Sequence, residues 1–117
     1  MDGAARIAQV TQTHIGMNIV ESKIKTIVAL CKHYKVKTLY LFGSILTTRF
    51  RQDSDIDFLV KFDKDNIHLA DYADNFFDFQ YALEDLFGRK IDLVCDDAIK
   101  NPYFRAEVDS KKQLIYG

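Results

Sequence analysis

Leu41-Phe42-Gly43-Ser44, then ten residues, then Asp55-Ile56-Asp57-Phe58-Leu59-Val60: the fold of this chain is read from this stretch. It reads as a strand, a glycine turn carrying a serine, a connecting segment, and a second strand that opens with two acids. Acids at i and i+2 of a strand point to the same face and sit about 6–7 Å apart along it. Two carboxylates so placed can reach a common pair of divalent cations. A Gly-Ser turn beside them can offer backbone N–H groups to a phosphate. The local pattern therefore points to phosphate-plus-metal chemistry.

Upstream, Val20, Ile24, Ile27, Val28, Cys31 and Tyr34 recur at helical spacing, which predicts a helix over about 18–34 with its apolar stripe against a sheet. Lys37 to Phe42 is the first strand, closed by Gly43. Residues 44–54 are expected as a short helical turn plus loop, and Asp55 to Phe62 as the second strand, with Ile56, Phe58, Val60 and Phe62 on one face. A long helix over about 67–87 follows. Its buried stripe is Tyr72, Phe76, Phe79, Leu83 and Leu86, and Gly88 stops it. Phe77 and Tyr81 form a second aromatic pair off that stripe. Two readings stay open for it: a wide buried face, or an exposed docking surface. Lys90 to Cys95 is the third strand, a helix begins near Pro102, and Gln113 to Tyr116 is a last short strand. This order suits an α+β fold, a sheet with helices packed mainly on one face.

A third acid sharpens the opening motif. Asp92 interrupts the apolar run of the third strand. If that strand lies beside the second, Asp92 joins Asp55 and Asp57. Three converging carboxylates repel one another, and divalent cations relieve that repulsion. Oxygen-only ligands select Mg²⁺ or Mn²⁺ over zinc. Asp63-x-Asp65 reads as a turn, and Lys35, Lys37, Lys111 and Lys112 as solvated surface.

Composition narrows the field. The 117 residues suit one domain, and 48% hydrophobic content suffices for a single core. Lys+Arg 16 against Asp+Glu 17 gives a net charge of -1, with no basic bias for tracking nucleic acid. No run is apolar enough to span a membrane, and residues 1–16 lack the signal-peptide pattern, so a cytoplasmic location is expected. Residues 1–16 are expected to form a leader, a short helix or a flexible segment, ahead of one domain over 17–117. Cys31 and Cys95 are expected as reduced thiols, and three histidines at unrelated spacings argue against zinc.

The Gly-Ser-x10-Asp-x-Asp pattern resembles the signature of the DNA polymerase beta-like nucleotidyltransferase superfamily. The small size, the Leu-Phe-Gly-Ser lead-in and Gly88-Arg89-Lys90-Ile91-Asp92-Leu93-Val94 are similar to its minimal nucleotidyltransferase (MNT) branch. That resemblance implies the small mixed sheet of the polymerase beta-like fold. It implies that Asp55, Asp57 and Asp92 are catalytic and hold two Mg²⁺ ions, with Mn²⁺ an alternative. Gly43, Ser44 and Arg49 would contact the nucleotide, ATP by resemblance. Many members carry Ala-Arg-Gly where this chain has Leu46-Thr47-Thr48; Arg49 and Arg51 are the nearby cations.

The implied reaction is attack of an acceptor hydroxyl on the α-phosphate, pyrophosphate leaving, so that AMP moves from ATP to the acceptor. A chain this small leaves little room for an acceptor domain, so the acceptor site is expected to be shared with another polypeptide, and an oligomer of the chain itself is left open. In the MNT branch that partner is often a HEPN-domain protein encoded nearby, and the pair acts as toxin and antitoxin. The resemblance thus implies an antitoxin that adenylylates a hydroxyl of its partner, with Phe77 and Tyr81 as the candidate docking face. The alternative is a non-catalytic binding module that neutralises a partner by contact.

Overall fold

A computed structural model of the chain describes residues 15–117; the expected leader lies outside these residues except for its last two positions. The elements run α1 (Ile15–Glu21), α2 (Ile24–His33), β1 (Val36–Phe42), a 3₁₀ turn (Gly43–Leu46) and β2 (Ile56–Phe62), then α3 (Tyr72–Phe87), β3 (Ile91–Cys95), α4 (Pro102–Lys111) and β4 (Gln113–Tyr116).

The four strands form one mixed sheet in the order β3-β2-β1-β4. β1 runs antiparallel to β2 and β4, and β2 and β3 run parallel. A parallel neighbour needs a long crossover, and α3 supplies it. The main core lies on one face of the sheet. There Ile56, Phe58, Val60 and Phe62 of β2 meet Ile27 and Cys31 of α2 and Phe79 and Leu83 of α3. The opposite face holds a small cluster of Phe42, Leu59 and Val108, where α4 packs. The α+β architecture with helices mainly on one face is as the sequence predicts.

Boundaries moved where local hydrogen bonding competes with helix. The helix expected over 18–34 is two helices broken at Ser22-Lys23. The Ser22 hydroxyl donates to the Ile19 carbonyl at 2.7 Å, and the Lys23 N–H donates to Val20 at 3.0 Å. Both are i to i−3 contacts, which tighten the turn and end α1. Likewise α3 proper starts at Tyr72, after a 3₁₀ turn over Leu69–Asp71. It ends where Gly88 takes up φ 64°. On α3, Phe79 and Leu83 are fully buried, whereas Phe77 and Tyr81 are 49% and 58% exposed. The wide-buried-face reading of that pair is therefore set aside.

Two features aim α1 and α4 at the Gly43 turn. A Cβ on Gly16 would come within 2.5 Å of Ile45 Cγ1 and 2.9 Å of its carbonyl oxygen, so only glycine lets α1 lie this close to the turn. At the other end, Asn101 caps α4. Its side-chain oxygen accepts from the Tyr103 and Phe104 N–H groups at 2.8 and 3.1 Å, with Pro102 in the first turn.

Candidate active site

The sheet register assembles the acids. Phe42, the last residue of β1, pairs with Asp57, and Asp57 pairs with Asp92 on the parallel neighbour β3. Asp57 and Asp92 thus share a register position on the face opposite the main core, next to the Gly43 turn. Asp55, expected to open the strand, precedes it instead: β2 begins at Ile56. It lies 3.8 Å from the Lys90 ammonium in an exposed pair.

Asp57 is the half-buried member of the set. Burial, then the charges of Asp92 and Asp55, push its carboxyl up to about 6. The neighbouring acids are therefore close enough to oppose its ionisation. Gly43 is packed against the same carboxylate. It has φ +80°, and a Cβ there would overlap Asp57 Oδ2. Glycine is required twice over, for the left-handed backbone and for the contact.

Beyond Gly43 the chain makes a tight polar turn. The Thr47 N–H and hydroxyl both donate to the Ser44 carbonyl, at 2.9 and 2.8 Å. The Thr47 hydroxyl accepts from the Arg49 N–H at 3.1 Å. This turn brings Arg49 to a cavity of about 1190 Å³ that Gly43, Ser44 and Asp57 also line. Phe104, Glu107, Val108 and Lys111 of α4 line it as well. Asp55, Asp92 and Arg51 do not. Of the two nearby arginines, Arg49 is thus the one at the site.

The sequence reading missed three contributors. Arg89 donates to the Arg51 and Ser54 carbonyls at 3.1 and 2.9 Å, and its guanidinium lies 4.7 Å from the centre of the Phe50 ring. It therefore ties down the loop that delivers Asp55. Phe104 and Lys111 reach the cavity from α4, a helix that shows only a weak apolar stripe in the sequence. Lys111, read as solvated surface, lines the cavity and pairs with Glu107 at 2.9 Å. Lys112 lies 4.4 Å from the centre of the Tyr40 ring. The spacing of Glu107 and Lys111 is readable in the sequence, but the cavity and the Tyr40 ring that these lysines meet are contributed by other elements.

As the side chains stand, no three His, Cys, Asp or Glu residues among those described close around a common metal position. Even so, the donor set suits a divalent cation. Asp57 and Asp92 are adjacent oxygen donors, Asp55 is close enough to act on Asp57, and a cation would relieve both the burial of the Asp57 charge and its repulsion by the other two acids.

Acids in register beside a glycine turn and a polar cleft are groups that suit phosphate chemistry with a divalent cation. The family model described as polymerase beta, nucleotidyltransferase matches residues 25–117, and the chain belongs to that family of enzymes. Among its relatives is a Methanocaldococcus jannaschii protein with the provisional name protein adenylyltransferase MJ0128. It is 41% identical over 87 residues, covering 74% of this chain and 82% of its own. MJ1379 of the same organism, provisionally named likewise, is 37% identical over 84 residues, covering 71% and 78%. A solved structure provisionally described as a minimal nucleotidyltransferase superposes with a TM-score of 0.65 at 27% identity, covering 85% of this chain and 95% of the other. A complex of a tri-AMPylated Shewanella oneidensis HEPN toxin with its MNT antitoxin shares the fold, with a TM-score of 0.57 at 20% identity over 83% of this chain and 71% of that one.

Among the described residues, no helix is long and apolar enough to cross a membrane.

Proposed function

We propose that the chain transfers AMP from ATP to a hydroxyl of a HEPN-class partner protein, acting as the antitoxin of the pair. The observation that carries the reading is the register: Phe42 opposite Asp57, Asp57 beside Asp92, and Gly43 against the Asp57 carboxylate. The provisional adenylyltransferase names of the relatives and the AMPylated HEPN toxin bound by a protein of this fold support the nucleotide and the acceptor. A further structure of this fold, a toxin-antitoxin complex with AMP-PNP, supports a nucleoside triphosphate; its TM-score is 0.61 at 21% identity, covering 80% of this chain and 73% of that one.

In this reading the Gly43-Ser44 turn and Arg49 hold the triphosphate in the cleft. Asp55, Asp57 and Asp92 would hold divalent cations, Mg²⁺ by donor type, which would supply charge stabilisation for the entering and leaving oxygens. Asp92 stands on the edge strand β3, in register with Asp57 and outside the cavity lining, and in this reading the acceptor hydroxyl comes in beside it. It accepts that hydroxyl's proton as the oxygen attacks the α-phosphate, and pyrophosphate departs.

The test is intact-mass analysis of the partner encoded beside this gene after incubation with the chain, Mg²⁺ and each of the four nucleoside triphosphates. A gain of one AMP with ATP, lost in Asp55→Asn, is expected. Full neutralisation of the partner by Asp55→Asn/Asp57→Asn, with no mass gain, would establish inhibition by contact instead.

A further inference from the structure

The cleft has an aromatic wall that the phosphate site does not use. Phe104, in the first turn of α4, lines the same cavity as Gly43, Ser44 and Arg49 and remains 42% exposed. Its ring meets Phe42, the residue before Gly43, in an edge-to-face pair with centroids 6.1 Å apart. It lies outside both core clusters. An aromatic side chain held this way, beside a triphosphate turn, presents a stacking surface one ring away from it.

Topology says which substrate faces it. The cavity is lined from the end of β1, from Gln113 of β4 and from α4. Asp92 sits on β3, the edge strand at the far side of the sheet from β4. The cavity holds Gly43, Ser44, Arg49 and Asp57 but not Asp92, so on the proposed reading it takes the nucleotide and leaves the Asp92 side to the acceptor. We infer that the nucleobase of the bound triphosphate stacks on Phe104, making Phe104 the base-recognition residue of this site. The inference rests on the nucleotidyl-transfer reading of the cleft and deepens it. A stack of this kind accepts any base in principle, and a purine, with the larger face, best.

The test exploits a chain without tryptophan. Phe104→Trp places a single indole at the proposed stack. Binding of a non-hydrolysable ATP analogue with Mg²⁺ should quench its emission, and inorganic tripolyphosphate should bind without that change. By calorimetry, Phe104→Ala should weaken the analogue about tenfold and leave tripolyphosphate affinity unchanged. Tyr103→Ala, at the neighbouring position 85% exposed and outside the cavity, should alter neither. Circular dichroism of Phe104→Ala should match the parent, since the ring lies outside the core. If Phe104→Ala binds the analogue as tightly as the parent while tripolyphosphate still binds, the base lies elsewhere and the phosphate site stands. If neither ligand binds the parent chain, the underlying reading fails and the inference with it. An indole signal in Phe104→Trp that answers only to the partner protein would reassign the ring to docking and overturn the proposal.

Discussion

Asp57 is where the fold and the chemistry conflict. Burial and two neighbouring acids hold its carboxyl at about 6, above the ordinary 3.8. A group whose pKa is raised by folding supports the fold while it is protonated. That support is complete below about 4 and is lost as the pH rises through about 6. The metal-free protein is therefore penalised at neutral pH for keeping this acid ionised. We predict that Asp57→Asn raises the thermal midpoint of the metal-free protein at pH 7, with the gain vanishing toward pH 4. Mg²⁺ should narrow the gain at pH 7, because it favours the ionised parent. The same substitution should lower turnover by about 100-fold or more. Equal midpoints at pH 7 would mean that Asp57 is not strained by its neighbours. Gly43 supplies the companion prediction. In Gly43→Ala, the left-handed backbone costs about 1–2 kcal/mol, and the new methyl displaces the Asp57 carboxylate. Activity should fall far more than stability, as judged by turnover alongside urea unfolding.

At the scale of elements, Arg89 joins two parts of the site that sequence separates. Placed just before β3, it donates to two backbone carbonyls of the loop that carries Asp55. Both bonds leave one guanidinium nitrogen, Nη1, while the planar head also lies over the Phe50 ring, a combination that lysine's ammonium does not reproduce. Arg89→Ala should weaken Mn²⁺ binding, measured by calorimetry, by about tenfold, as loss of an outer support for a metal ligand does. Arg89→Lys should recover only part of it. Unchanged Mn²⁺ affinity in Arg89→Ala would show that the loop holds Asp55 without this tether. The division of the N-terminal helix belongs to this scale too. Its apolar stripe was legible in the sequence, but the break at Ser22 was not, because a serine hydroxyl can bond either solvent or the backbone behind it.

For the molecule as a whole, the question is what covers α3. Phe79 and Leu83 anchor the helix in the core, and Phe77 and Tyr81 stand out from it. Replacing both outer rings with alanine should lower the thermal midpoint by no more than about 4–8 °C, since two exposed positions at about 0.5 kcal/mol each contribute about 1 kcal/mol together. If this is the docking face, the double variant should lose capture of the partner, at about 2 kcal/mol or more per aromatic anchor. Retained capture would move the interface elsewhere, with the exposed β4 edge residue Leu114 the next to test.

The sequence alone determined the strands, the acid pattern and the family likeness, because these depend on periodicities and spacings within one continuous segment. The Gly-Ser-x10-Asp-x-Asp stretch already implied a phosphate turn beside two acids, and Asp92 stood out as a charge in an apolar strand. Tertiary structure decided that Asp92 sits in register with Asp57, that Arg49 rather than Arg51 reaches the cleft, that Phe104 lines it too, and that Arg89 ties the loop before Asp55. Those facts depend on which strands pair and where α4 crosses the sheet. The energies that set them are distributed over the core, so no local pattern records them.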